Sequence, residues 1–154
     1  MKFQRIALLS LPLVMFGGCA STVAVLPPVT YENAIKPLME AKCLACHGAA
    51  SPTIEVFDKD KNGYKAKGIG PRMDSYESLV GFVNGGDAGA IMRRLDDGKH
   101  TQDGKPGNMY ENLGATEAER QLNLAKFKAW VGAWNLKKPD QLTDAERGLV
   151  KVPR

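Results

Sequence analysis

Cysteine is scarce in this chain, and histidine is scarcer. Three cysteines stand at positions 19, 43 and 46, and the two histidines at 47 and 100. Cys43 and Cys46 sit beside a histidine and Cys19 ends an apolar N-terminal run, so no pair remains for a disulfide scaffold. Long hydrophobic runs are missing too. The longest, residues 6–16, is interrupted by Pro12 and falls short of the roughly 20 apolar residues of a transmembrane helix. Charge of one sign is also absent. There are 21 Lys and Arg against 17 Asp and Glu. Two of the basic residues, Lys2 and Arg5, lie in the N-terminal segment, so the remainder is close to neutral. That excludes the basic stripe of a nucleic-acid binder. At 154 residues, 25% charged and 44% hydrophobic, the chain has the size and balance of one globular domain with a leader and a tail.

Against this background one pentapeptide stands out, Cys43-Leu44-Ala45-Cys46-His47. C-x-x-C-H reads as a covalent attachment site for a c-type haem. Two thiols one helical turn apart reach the two vinyl groups of one porphyrin, and the adjacent imidazole lies under the iron as an axial ligand. A structural zinc on Cys43, Cys46, His47 and His100 is the rival use of the same side chains. Adjacent Cys46 and His47 are poorly spaced for one tetrahedral ion, because zinc sites use wider Cys/His spacing.

The N-terminus supplies a context for this motif. Lys2 and Arg5 form a positive n-region ahead of the apolar run, in the manner of a signal peptide over residues 1–18. The run ends in Phe16-Gly17-Gly18-Cys19, which resembles a bacterial lipobox, with Cys19 as the lipidated first mature residue. An ordinary secretory cut after Ala20 or Ala24 is the other reading. Lipidation holds a domain at the membrane surface without crossing it. Ala20 and Ser21 after the cysteine resemble signals that permit transfer to the outer membrane. Residues 19–30, with Pro27-Pro28, then read as an extended tether.

From Thr30 the pattern turns helical up to His47, with Pro37 placing either a short turn or a kink ahead of the main helix. Residues 49–72 are polar and read as a long loop. Within it, Asp58 to Gly63 matches half of an EF-hand, but Ile69 stands where the bidentate Glu belongs, so calcium is not expected. Ile54 to Phe57 and Tyr64 to Lys67 instead suggest a short hairpin, and Lys59, Lys61, Lys65 and Lys67 read as its solvated face. Asp74 or Ser75 caps a helix through Tyr76, Leu79, Val80 and Val83. Asp87 caps a second, burying Ile91, Met92 and Leu95 and turning Arg93 and Arg94 to solvent. Thr116 and Glu119 form a capping box for a long amphipathic helix carrying Leu124, Phe127, Trp130, Val131 and Trp134. Residues 137–154 read as a peripheral tail with one short helix capped at Thr143.

An electron-transferring haem needs a second axial ligand opposite His47. Met39 lies on the proximal side, Met92 reads as core, and His100 is the sole bis-histidine option. Met73 sits in a loop and remains a candidate. Met109 is preferred, because it follows Pro106-Gly107-Asn108 in a bendable loop directly ahead of the capped helix.

Residues 31–134 resemble class I monohaem c-type cytochromes. The resemblance is carried by Ile35-Lys36-Pro37-Leu38 leading to Cys43, Cys46, His47 and Gly48, by Pro106 to Met109, and by Glu119 through Trp130-Val131-Gly132-Ala133. It implies an all-α fold, a cytochrome c-like bundle of about 4–5 helices wrapped around one covalent haem c, with long loops and room for one short β-hairpin. The domain would span residues 31–136. The resemblance further implies one-electron transfer between redox protein partners on the periplasmic side, with no enzymatic turnover and no nucleic-acid partner. In many relatives a Pro follows the ligand Met; here Tyr110 does. The competing function is a five-coordinate haem sensor or peroxidase-like protein, with His100 beside an open distal position.

Overall fold

The computed structural model describes residues 27–154. The signal segment, Cys19 and the first part of the tether lie outside them. The described residues fold into short helices, with no strand among them, arranged so that the first and last long segments cross the same core.

Thr30 opens the domain by accepting a bond from Asn33 N–H (3.2 Å), while the Asn33 side chain accepts from Thr30 N–H (2.8 Å). A π-helical turn, Tyr31–Ile35, runs straight into α1, Lys36–Lys42, which carries Pro37 in its first turn. Proline lacks the N–H an α-helix would use there, and the wider turn ahead of it accommodates the loss. Ile35, Leu38 and Met39 face the core, and Cys43 breaks the helix before α2, Leu44–His47.

The next segment differs from expectation. Its two halves are helical turns, α3 (Ile54–Phe57) and α4 (Lys61–Ala66), and no hairpin forms. Local bonds decide this: Phe57 N–H to Thr53 O (2.8 Å), Asp58 N–H to Ile54 O (2.9 Å), and Asp60 capping α4 by accepting from Gly63 N–H (3.0 Å). An isolated two-stranded ribbon is marginal in water, whereas the helical arrangement also stacks Phe57 on Tyr64 at 5.8 Å. The aspartates of the half EF-hand thereby have structural uses, since Asp58 pairs with Lys61 at 3.0 Å.

Helix α5 (Tyr76–Asn84) starts at Ser75 in a reciprocal capping box with Ser78, and buries Leu79, Phe82 and Val83. Helix α6 (Ala90–Leu95) is capped by Gly89 at φ +79°, and Asp87 does not cap it. The Asp87 carboxylate instead accepts from Arg93 Nη2 (3.0 Å). Arg93 is drawn back from solvent onto the carbonyls of Ala88 and Lys137, while Arg94 stays exposed. A 3₁₀ turn, Tyr110–Leu113, leads to α7 (Glu117–Val131), whose Leu124, Phe127, Trp130 and Val131 are almost wholly buried. Gly132 at φ +79° stops α7, so Trp134 lies beyond it and not on its stripe. Thr116 caps α7 as the pattern implies, but Glu119 bonds Ala115 N–H (2.8 Å) and Lys42 (2.6 Å) rather than closing the box.

The last residues are not peripheral. After a 3₁₀ turn, Pro139–Gln141, and α8, Asp144–Gly148, the chain returns across the core. The Pro153 carbonyl accepts from Tyr31 N–H (2.8 Å) and Trp130 Nε1 (2.8 Å), and the Val152 carbonyl accepts from the Tyr76 hydroxyl (2.8 Å).

Gly89 combines a left-handed backbone with close approach: a Cβ there would lie 2.6 Å from the Lys137 carbonyl oxygen. Gly89→Ala is expected to lower stability by about 1–3 kcal/mol, read as a lower thermal midpoint of the haem-loaded protein. An unchanged midpoint would show that the α6 entry relaxes freely.

Candidate functional site

Helix α1 delivers the cysteines. Cys43 N–H still bonds to Met39 O (2.8 Å), and the Cys43 carbonyl then accepts from both Cys46 N–H (3.1 Å) and His47 N–H (3.0 Å). Cys43, Cys46 and His47 thus lie within one helical turn of chain. Cys43 is half-buried against the core and Cys46 is exposed. Burial, and secondarily Cys46, pushes the Cys43 thiol up to about 11, so it stays protonated at neutral pH.

His47 is held from the other side of its ring. Its Nδ1 lies 2.7 Å from the Pro71 carbonyl oxygen. A carbonyl only accepts, so Nδ1 carries the proton and Nε2 presents its lone pair, the arrangement a metal-binding imidazole needs. The segment bearing Pro71 is fastened to the attachment turn by Gly70 N–H to Cys46 O (2.8 Å) and Met73 N–H to His47 O (2.8 Å), and to the loop that follows it by Arg72 N–H to Pro52 O (2.8 Å). Gly70 presses on the ring so closely that a Cβ would stand 2.1 Å from His47 Cε1. Two thiols on one turn, an imidazole with its tautomer set, and backbone packed on its flank fit a covalently attached haem.

The residues considered for the opposite iron face are scattered. Met39 and Met92 are 3% and 1% exposed, within the core. Met73 is tied by its own N–H to the His47 carbonyl (2.8 Å) and packs against the core. His100 Nδ1 bonds to Asp96 Oδ2 (2.8 Å), which also accepts from Trp134 Nε1 (2.8 Å). Asp96 is fully buried there. Despite burial, which raises it, bonds from Trp134 and His100 hold its carboxyl below the ordinary range. His100 thus belongs to a cleft with Arg93, Trp134 and Leu136. Met109 is half-buried at the head of the 3₁₀ turn, with its N–H on Arg94 O (2.9 Å) and its Sδ 3.6 Å from Asn112 Nδ2.

The family described as PccH Cytochrome c matches residues 30–150. The chain belongs to this family. It is similar to a solved structure, that of the monoheme cytochrome PccH from Geobacter sulfurreducens. Identity is 52% over 83% of this chain and 100% of that one, with a TM-score of 0.78. No curated protein matches it. This cytochrome is therefore an electron carrier with one covalently bound haem c and an all-helical fold, and membership implies an exported, periplasmic protein. The five-coordinate sensor or peroxidase reading finds no support in that membership. When bound, the haem supplies a one-electron couple; the chain's residues anchor it, set its ligand and limit solvent access.

Sequence reasoning missed Pro71 and Gly70 as partners of His47. Gly70-Pro71 is legible as a turn, but nothing local says that its carbonyl meets an imidazole 24 residues earlier. Asn112 and Asp96 were missed although they lie three and four residues from Met109 and His100, because no helical or turn pattern there singles them out. Gly70→Ala should drive a methyl group into the imidazole and lower the haem loaded per polypeptide several-fold, measured by pyridine haemochrome against total protein. Full loading with unchanged spectra would mean that the ring does not need this contact.

Proposed function

We propose that Cys43 and Cys46 hold the porphyrin, that His47 is the proximal ligand and that Met109 completes the iron, in a carrier with no substrate chemistry of its own. The carrying observation is the bond from His47 Nδ1 to the Pro71 carbonyl at 2.7 Å, which leaves Nε2 free for iron. Met109 is favoured because its competitors are committed elsewhere. Met73 is tied through its main chain to the His47 carbonyl, Met92 is in the core, and His100 lines a cleft with Arg93, Trp134 and Leu136 that includes neither Cys43, Cys46 nor His47. A sulfur ligand favours ferrous iron and raises the potential relative to a second imidazole. Filling both axial positions also limits reorganisation on electron transfer and keeps small ligands out.

The exposed Cys46 marks the edge through which redox proteins, one donor and one acceptor, exchange electrons with the haem. We assign residues 1–18 to a lipoprotein signal, 19–30 to a lipidated Cys19 with its tether, 31–136 to the cytochrome domain and 137–154 to the closing tail. No helix of the described residues is long and apolar enough to cross a membrane. A lipid on Cys19 is the attachment that the sequence pattern supports.

Met109→Ala is expected to abolish the near-infrared sulfur-to-iron band of the oxidised protein, and to let carbon monoxide bind the reduced form. A band that survives this change would transfer the role to Met73 or another sulfur. Its absence from the wild type would end the methionine reading altogether. Cys19→Ser should move the cytochrome from the membrane fraction to the soluble fraction. A cytochrome that is soluble before the change would leave Cys19 in a discarded leader.

A further inference from the structure

Tyr110 is joined directly to Met109, and its phenol is bound more tightly than its place in a turn-rich segment requires. The ring is 5% exposed. Its hydroxyl donates to Glu117 Oε1 at 2.6 Å and accepts from Gln121 Nε2 at 2.7 Å. Gln121 Nε2 also lies 2.9 Å from Glu117 Oε1 and 3.2 Å from Asp97 Oδ2, its two hydrogens shared among three acceptors, and Asp97 Oδ2 is paired with Lys99 at 2.7 Å. Arg120 completes the setting, with its guanidinium 5.8 Å from the ring centroid and Nε 3.1 Å from Glu117 Oε2. Glu117, Arg120 and Gln121 all belong to the first turns of α7, whose later turns carry the fully buried Phe127, Trp130 and Val131. One peptide bond away, the Met109 thioether has far weaker restraints of its own, a main-chain bond to Arg94 and the Asn112 amide at 3.6 Å.

We infer that Tyr110 is a positioning residue: its phenol, anchored on the first turns of α7, holds the Met109 sulfur at the iron. The inference rests on Met109 as the second ligand. A thioether is a neutral, weak donor, and it keeps its place only if the loop presenting it loses little by staying closed. The stretch before Met109 contains Gly98, Gly104 and Gly107, three positions of high backbone freedom. The residue after Met109 is Tyr110, so no proline ring stiffens the chain there. A buried aromatic with a charge-assisted bond to a helix supplies the stiffness in another way. The phenol places the anchor at the far end of the ring, so rotation about the Met109–Tyr110 peptide is restrained at both ends.

The test uses the full-length haem-loaded cytochrome. Tyr110→Phe keeps the ring and its burial and removes the hydroxyl, leaving Glu117 and Gln121 free to meet water. The change removes both bonds of the hydroxyl, and with Glu117 and Gln121 rehydrated the net loss is about tenfold in an equilibrium. Added imidazole should therefore bind the oxidised variant about tenfold more tightly than wild type, with a weakened near-infrared sulfur band at equal haem content. Glu117→Gln, which swaps the carboxylate acceptor for an amide and leaves the tyrosine intact, should move both readouts in the same direction by less. Trp130→Phe deletes one bond at the opposite end of α7, that to Pro153. It should lower the thermal midpoint without changing imidazole affinity. Wild-type imidazole affinity in Tyr110→Phe overturns the inference, as does an equal gain in Trp130→Phe, which would signify general loosening. If the sulfur band persists in Met109→Ala, the ligand assignment itself has failed, a result read independently of Tyr110.

Discussion

The hydrogen bond between His47 Nδ1 and the Pro71 carbonyl governs more than the tilt of one ring. It selects the tautomer, and with it the nitrogen available to metal. It also obliges residues 70–73 to run alongside the attachment turn, where Gly70, Arg72 and Met73 each find a main-chain partner. Residues 48–69 thereby become a closed excursion whose two ends meet at the site. Such an excursion carries exposed lysines on its helical turns while Ile54 packs against the core.

The other half of the molecule is organised by α7. It packs Phe127 and Trp130 into the core at 0% exposure, receives Lys42 from the end of α1 through Glu119, and holds Tyr110 through Glu117 and Gln121. The segment that introduces the cysteines and the one that presents Met109 are thus both referred to one rigid rod. A carrier that must change charge without changing shape benefits from this arrangement. Movement of either segment relative to the other would require α7 to shift within a close-packed core, and packed interiors resist small displacements.

How much was legible in the sequence followed the range of the deciding interaction. Ser75, Thr116 and Thr143 were readable as caps because a cap is a bond between a side chain and an amide three residues on. Cys43, Cys46 and His47 were readable because their chemistry is contained in five consecutive positions. Asp87 looked equally like a cap, but Arg93 takes its carboxylate and Gly89 begins the helix. The alternation of residues 54–57 and 64–67 suited strands until the stacking of Phe57 on Tyr64 and the Asp60 cap favoured helical turns. Trp134 continued a helical period that Gly132 ends. The acceptor for His47 lies 24 residues away, and the partner of Tyr110 on a different helix. Spacing alone identifies neither.

The contact of Pro153 with Tyr31 and Trp130 has a consequence for the order in which the molecule matures. A chain crossing a membrane N-terminus first exposes Cys43 to His47 when most of α7 and all of the closing segment are still to come. Until residue 153 arrives, the first amide of the domain and the indole of its central tryptophan lack their acceptor, and the helix carrying the cysteines has no lid at its start. The Pro153 carbonyl thus ties the start of the domain to its central tryptophan, and neither donor has that acceptor until this segment is in place.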